Sequence, residues 1–124
     1  MAASAQPKPM LILTTEKTPT ESIVRCTGRI VAETVDQLRQ TAKGLISESK
    51  HVVLDFTGVD YLDSSGLGMI VGLLVAAKKS GCKLRLVNLS PRVKEIFTMT
   101  RLFEALGGHE EHLGVTRFPV NPRF

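Results

Sequence analysis

The run HVVLDF, His51 to Phe56, is the stretch of this 124-residue chain that leaves the fewest structural options. Its apolar residues are contiguous and no charged face recurs at helical spacing. It therefore reads as a short strand buried on both sides, the environment found in the middle of a parallel sheet. The sequence before it supplies partners. MLILTTE (Met10 to Glu16) and SIVRCTG (Ser22 to Gly28) are rich in β-branched and aliphatic residues and are separated by the polar KTPTE, which predicts two strands. From Ala32 to Ser47 the period changes. Val35, Leu38, Ala42, Leu45 and Ile46 recur at three- and four-residue steps, with Glu33, Asp36, Arg39, Gln40 and Lys43 on the opposite side, the pattern of an amphipathic helix.

After HVVLDF comes a predicted loop, TGVDYLD, and then a second helix from Ser64 to Lys79. Lys78 and Lys79 suit the negative end of its dipole, and Gly81 can terminate it. Leu67 to Ala77 has no charged face, so this helix is expected to be buried, with Gly72 packed against the sheet. KLRLVNL (Lys83 to Leu89) alternates as a fourth strand. Ser90 then caps a third helix, and Pro91 occupies its first turn. A short helix or turn at Leu102 to Leu106 and a strand-like GVTRF at Gly114 to Phe118 complete the pattern. Strands alternating with helices predict a layered α/β domain. Its expected extent is 10–118, between a loose tail at 1–9 and a short one at 119–124.

Composition removes several classes of function. The chain is 43% hydrophobic and 23% charged, which suits a folded domain, and 5% aromatic with no Trp, which leaves the core to aliphatic residues. The net charge of +4 is the balance of 16 Lys and Arg against 12 Asp and Glu, and the basic residues never form a run longer than two, so they read as solvated surface and not as a nucleic-acid patch. Cys26 and Cys82 show no metal or redox spacing and are expected to be core thiols in a reducing compartment. The opening MAASAQPKP lacks the apolar segment of a secretory signal, and Leu67 to Ala77 is too short to cross a bilayer. A soluble, cytoplasmic protein that does not engage membranes is the expectation.

YLDSSGLG, Tyr61 to Gly68, is the stretch that invites a functional question. Gly66-x-Gly68 is not a dinucleotide fingerprint: the sixth position is Val71, and no acid stands about 20 residues on. A hydrolase elbow needs glycines two residues either side of the serine, yet two positions before Ser64 stands Leu62 and two before Ser65 stands Asp63. HEEH at His109 to His112 is one residue short of H-E-x-x-H and has no third ligand nearby. No catalytic constellation, metal site or cofactor site emerges. Asp63 or Ser64 can cap the second helix, which leaves a hydroxyl unused at a position where backbone N–H groups and the helix dipole tolerate a phosphate. Phosphate there would add about −1.5 to −2 charges beside Asp60 and Asp63 and alter any surface that docks on this loop.

These residues resemble the STAS domain, in particular bacterial anti-sigma factor antagonists of the sporulation and general-stress type. The D-S-S-G-L-G block, the helix and strand after it, and the S-P-x-V-x-x-x-F segment from Ser90 to Phe97 carry the resemblance together. It implies a single α/β domain with a mixed, largely parallel sheet of four to five strands and about four helices. It also implies that this protein is not an enzyme. Ser64, with Ser65 as runner-up, is implied as the phosphorylation site for an anti-sigma factor that is also a serine kinase. That partner would bind ATP and magnesium, and a phosphatase would reset the switch. The unphosphorylated form would hold the anti-sigma factor and free the sigma factor. Asp63, Ser65, Gly66, Leu67 and Gly68 are implied as the docking rim, with Gly28, Arg29, Ser90 and Pro91 beside it. Family members commonly carry G-E-L-D where this chain has GRIV at 28–31, so Gly28 matches and Arg29 and Val31 do not. The alternative is a STAS module used as a non-phosphorylated scaffold or as a binder of a nucleotide or lipid.

Overall fold

The computed structural model describes residues 11–100. Strands β1 (Leu11–Lys17) and β2 (Ser22–Ile30) form a hairpin. Helix α1 (Val35–Glu48), strand β3 (His51–Leu62), helix α2 (Ser64–Ser80), strand β4 (Lys83–Val87) and helix α3 (Pro91–Thr100) follow in that order. The four strands lie in the sheet in chain order. β1 pairs antiparallel with β2, while β2 with β3 and β3 with β4 are parallel, so the sheet is mixed and largely parallel as expected. The predicted elements at 102–106 and 114–118, and both tails, lie outside the described residues.

Local chemistry accounts for the element ends. In the hairpin, Thr18 Oγ1 accepts from the amides of Thr20 (3.2 Å) and Glu21 (3.0 Å), fixing the turn that KTPTE predicted. Gly81 ends α2 in the left-handed conformation, φ 75°, and the Cys82 amide returns to the Ala77 carbonyl at 2.9 Å. Ser90 Oγ accepts from the Val93 amide at 3.1 Å, so Ser90 caps α3 as its Ser-Pro start implied.

The core lies between one face of the sheet and the helices. Val24, Val52, Leu54, Phe56 and Leu86 from the strands meet Leu38 and Ala42 of α1, Ile70 and Leu73 of α2, and Val93 and Phe97 of α3. Full burial of one such large side chain contributes about 1.5–3 kcal/mol. Cys26 and Cys82 are buried in the same core; desolvation pushes the Cys26 thiol up to about 12 and raises that of Cys82, which suits packing and not reactivity.

Two expectations need correction. β3 does not stop at Phe56. It continues through the predicted loop to Leu62 because it stays paired with β2 (Gly28↔Val59, Arg29↔Tyr61, Ile30↔Leu62), with register shifts on either side of Thr27–Gly28 that Gly28 absorbs at φ 122°. The HVVLDF run is buried on both faces as expected, with Val52, Leu54 and Phe56 on one face, Val53 on the other and Asp55 half-buried. Asp55 pairs with Arg25 across the strands and accepts from Thr57 and from Asn88 Nδ2 (3.0 Å). Burial works against its charge, but these hydrogen bonds and Arg25 outweigh it and hold the carboxyl below its usual range. Gly72 does not pack on the sheet: it is exposed, and an added Cβ there would meet nothing within 4 Å.

Candidate modification and docking site

The site is built where β2 and β3 end side by side and hand over to α1 and α2. Thr34, buried just before α1, does not cap that helix through its side chain. Its hydroxyl instead accepts from the Val31 amide (2.9 Å) and donates to the Arg29 carbonyl (2.8 Å), closing the turn between β2 and α1. That turn presents the Ala32 N–H to Asp63.

Asp63 joins the two helix starts. Its backbone is extended (φ −102°, ψ −173°), as an N-cap requires, and Oδ1 accepts from the Gly66 amide at 3.0 Å. Oδ2 accepts from the Ala32 amide at 3.2 Å, while the Asp63 amide donates to the Ile30 carbonyl at 3.2 Å. The Gly66 N–H, followed by smaller contributions from the Ala32, Ser65 and Asp63 amides, holds the carboxyl below its usual range against a desolvation cost. Of the two capping candidates, Asp63 takes the role.

Gly66 must remain a glycine. A Cβ on it would lie 2.4 Å from the Ile30 carbonyl oxygen and 2.9 Å from Ile30 Cγ2, so the first turn of α2 rests directly on the end of β2. Leu67 is half-buried against the core. Gly68, like Gly72, is open to solvent.

Ser64 and Ser65 are both exposed on the first turn, and no hydrogen bond engages either hydroxyl. The Asp63 carboxylate is committed to backbone amides, so it is not placed to take a proton from Ser64. Among the described residues no group of three His, Cys, Asp or Glu could hold a metal. His51 is exposed at the far end of β3, and HEEH lies outside the described residues. The arrangement presents two exposed, unbonded hydroxyls on the first turn of a helix.

The remaining candidates fall around this point at different distances. Arg29 is exposed, and its guanidinium lies 5.9 Å from the centre of the Tyr61 ring, itself 40% exposed, at the paired ends of β2 and β3. Gly28 serves the backbone of β2. Ser90 and Pro91 are not tied to Asp63: the Ser90 bonds go to Val93 and Lys94 within α3, and the preceding Asn88 is fastened to Asp55, seven residues before Leu62 on β3.

A groove of about 490 Å³ opens between α1 and α2. Ser64, Ser65, Gly68 and Gly72 line one side; Arg39 and Lys43 line the other. Sequence reading missed this groove, because Arg39 and Lys43 belong to the polar face of an amphipathic helix. The spacing Ser64-Gly68-Gly72, four residues at each step, was the available signal for a bare strip along α2.

The model of the STAS domain family matches residues 13–114. The anti-sigma-B factor antagonist of Bacillus subtilis (strain 168) is 34% identical over 79 residues, 64% of this chain and 72% of that protein. Among solved structures, an anti-sigma factor antagonist from Mycobacterium paratuberculosis superimposes with a TM-score of 0.72 at 18% identity, covering 91% of this chain and 89% of that one. The antagonist SpoIIAA in its unphosphorylated form gives 0.64 at 23% identity, covering 73% of this chain and 82% of that one. The Bacillus cell fate determinant SpoIIAA in its phosphorylated form gives 0.61 at 22%, covering 73% and 85%. Family pattern and sheet architecture agree over most of the chain: the protein belongs to the STAS domain family.

Proposed function

We propose that this protein is an anti-sigma factor antagonist whose surface around Asp63 to Gly68 binds an anti-sigma factor that is also a serine kinase, and that phosphorylation of Ser64 ends the binding. The observation that carries this reading is the exposed, unbonded Ser64 hydroxyl on a helix start already capped by Asp63. A cap made by the serine itself would have to be broken before modification. Here the hydroxyl is free and the cap survives.

The chemistry is the partner's. Ser64 Oγ attacks the γ-phosphorus of ATP held with magnesium by the kinase, the bond to the β,γ-bridging oxygen breaks, ADP leaves, and the hydroxyl proton passes to a base on the kinase. The product carries about −1.5 to −2 charges where the free form is neutral, so a surface that fits the hydroxyl is repelled and stripped of a good fit. A phosphatase then restores the serine. The relationship to the Bacillus subtilis anti-sigma-B factor antagonist supports the partner class. The fold neighbour SpoIIAA, described both without and with phosphate, supports the compatibility of this fold with both states.

Incubation with a cognate anti-sigma kinase and magnesium-ATP, followed by phosphopeptide mapping, tests the reading. One phosphate on Ser64 is expected. Phosphate on Ser65 with Ser64 unmodified would overturn the assignment, and none on either residue would overturn the switch.

A further inference from the structure

We propose that Arg39 and Lys43 of α1 form an internal receptor for the phosphoryl group on Ser64, so that the modified side chain is held in the groove between α1 and α2. This rests on the reading of Ser64 as the modified residue and adds what the modification does to the chain itself.

The geometry follows from the topology. α1 and α2 each connect parallel strands, so they run in the same direction. The Ala32–Asp63 hydrogen bond sets their starts level. Arg39 stands one turn into α1 and Lys43 two turns, and both line the same groove as Ser64. Gly68 and Gly72 lie one and two turns along α2 from Ser64, and with no side chains they leave the space between serine and cations open. Any larger residue at Gly68 would stand between them.

The charges allow the exchange. Arg39 is held by Asp36, but that pair is on the surface, with the Asp36 side chain 75% exposed, and a phosphate dianion competes well with a solvated carboxylate. Lys43 makes no ion pair among the described residues. The acid next to Ser64, Asp63, has both oxygens taken by backbone amides. Asp60, Glu33 and Arg29 are exposed near the ends of the strands and the start of α1, where solvent screens them. A guanidinium offers the fork that phosphate oxygens match, and lysine adds a second positive charge behind it. Phosphorylation would then produce one defined surface, with the Gly68 strip covered by the phosphate and its two cations.

The test uses the full chain with phosphoserine installed at position 64 during translation, read by phosphorus NMR as pH is varied. The second pKa of phosphoserine is ordinarily about 6. In the receptor it is expected about one unit lower, returning upward in the double variant Arg39→Gln, Lys43→Gln. A control, Lys78→Gln with Lys79→Gln, removes the same charge about 21 Å away along α2 and should leave the value in place. An identical pKa in the unaltered chain and the Arg39, Lys43 variant would overturn the receptor, as would an equal rise in the control. Because the phosphate is installed without a kinase, failure of a kinase to modify Ser64 is a separate result that counts against the switch alone.

Discussion

Two glycines six residues apart in the chain, Gly66 and Gly72, would not be distinguished by composition, yet their surroundings assign them opposite roles. At Gly66 an added methyl would drive into the Ile30 carbonyl, part of a strand end that cannot move without breaking its bond to Asp63. Gly66→Ala is expected to destabilise the fold by about 1–3 kcal/mol. Gly72→Ala meets open space in the middle of a helix and is expected to stabilise it by about 0.5–1 kcal/mol. Denaturant midpoints of the two variants check both signs. The same pair shows a limit of reading the sequence. Leu67 to Ala77 is apolar nearly all round, so no charged stripe marks which side of α2 faces water, and the outward position of Gly72 follows only from how α2 sits against α1 and the sheet. Asp63 was legible as a capping candidate from its place before a helix. Its bond to Ala32 was not, because it joins positions 31 residues apart that only the parallel pairing of β2 and β3 brings together.

At the scale of elements, the short turn between β2 and α1 controls how the site is presented. Thr34 is buried there, and its hydroxyl satisfies the Val31 N–H and the Arg29 carbonyl at once. Thr34→Val keeps the shape and removes both bonds, at an expected cost of about 1–3 kcal/mol. It also loosens Ala32 and through it Asp63, so hydrogen exchange at the Gly66 amide should accelerate more than exchange in β4, a difference that amide exchange by NMR resolves. Element periodicity explains why α1 was readable and β3 only half so. The charged face of α1 contrasts with Val35, Leu38, Ala42 and Leu45, whereas Thr57, Asp60 and Tyr61 have the polarity of a loop and become strand through pairing with β2. Arg39 and Lys43 were read as solvated surface for the same reason: the groove beside them belongs to two elements, and neither segment alone contains it.

Over the whole molecule, the helix starts and strand ends that make the site lie along one edge of the sheet, outside the carboxyl ends of β2 and β3, where open parallel sheets place their functional surfaces. Two carboxylates brace this frame, Asp63 between the helix starts and Asp55 between β3 and the segment leading to Ser90. Both are held below the ordinary value of 3.8. Their contribution to stability is therefore complete above that value and is lost as pH falls through the lower folded values, where the native state must take up protons it otherwise excludes. Denaturant midpoints recorded across the acid range should fall in that window, and Asp63→Asn should flatten the fall while lowering the midpoint at neutral pH. The central claim, that one hydroxyl at this edge governs binding, is tested most directly by calorimetric titration of an anti-sigma kinase with three forms of the full chain: unmodified, Ser64→Ala and phosphorylated at Ser64. The account predicts equal affinity for the first two and a loss of about tenfold or more for the third, the effect of roughly 1.4 kcal/mol of repulsion and lost fit. Equal affinity for all three forms would contradict it.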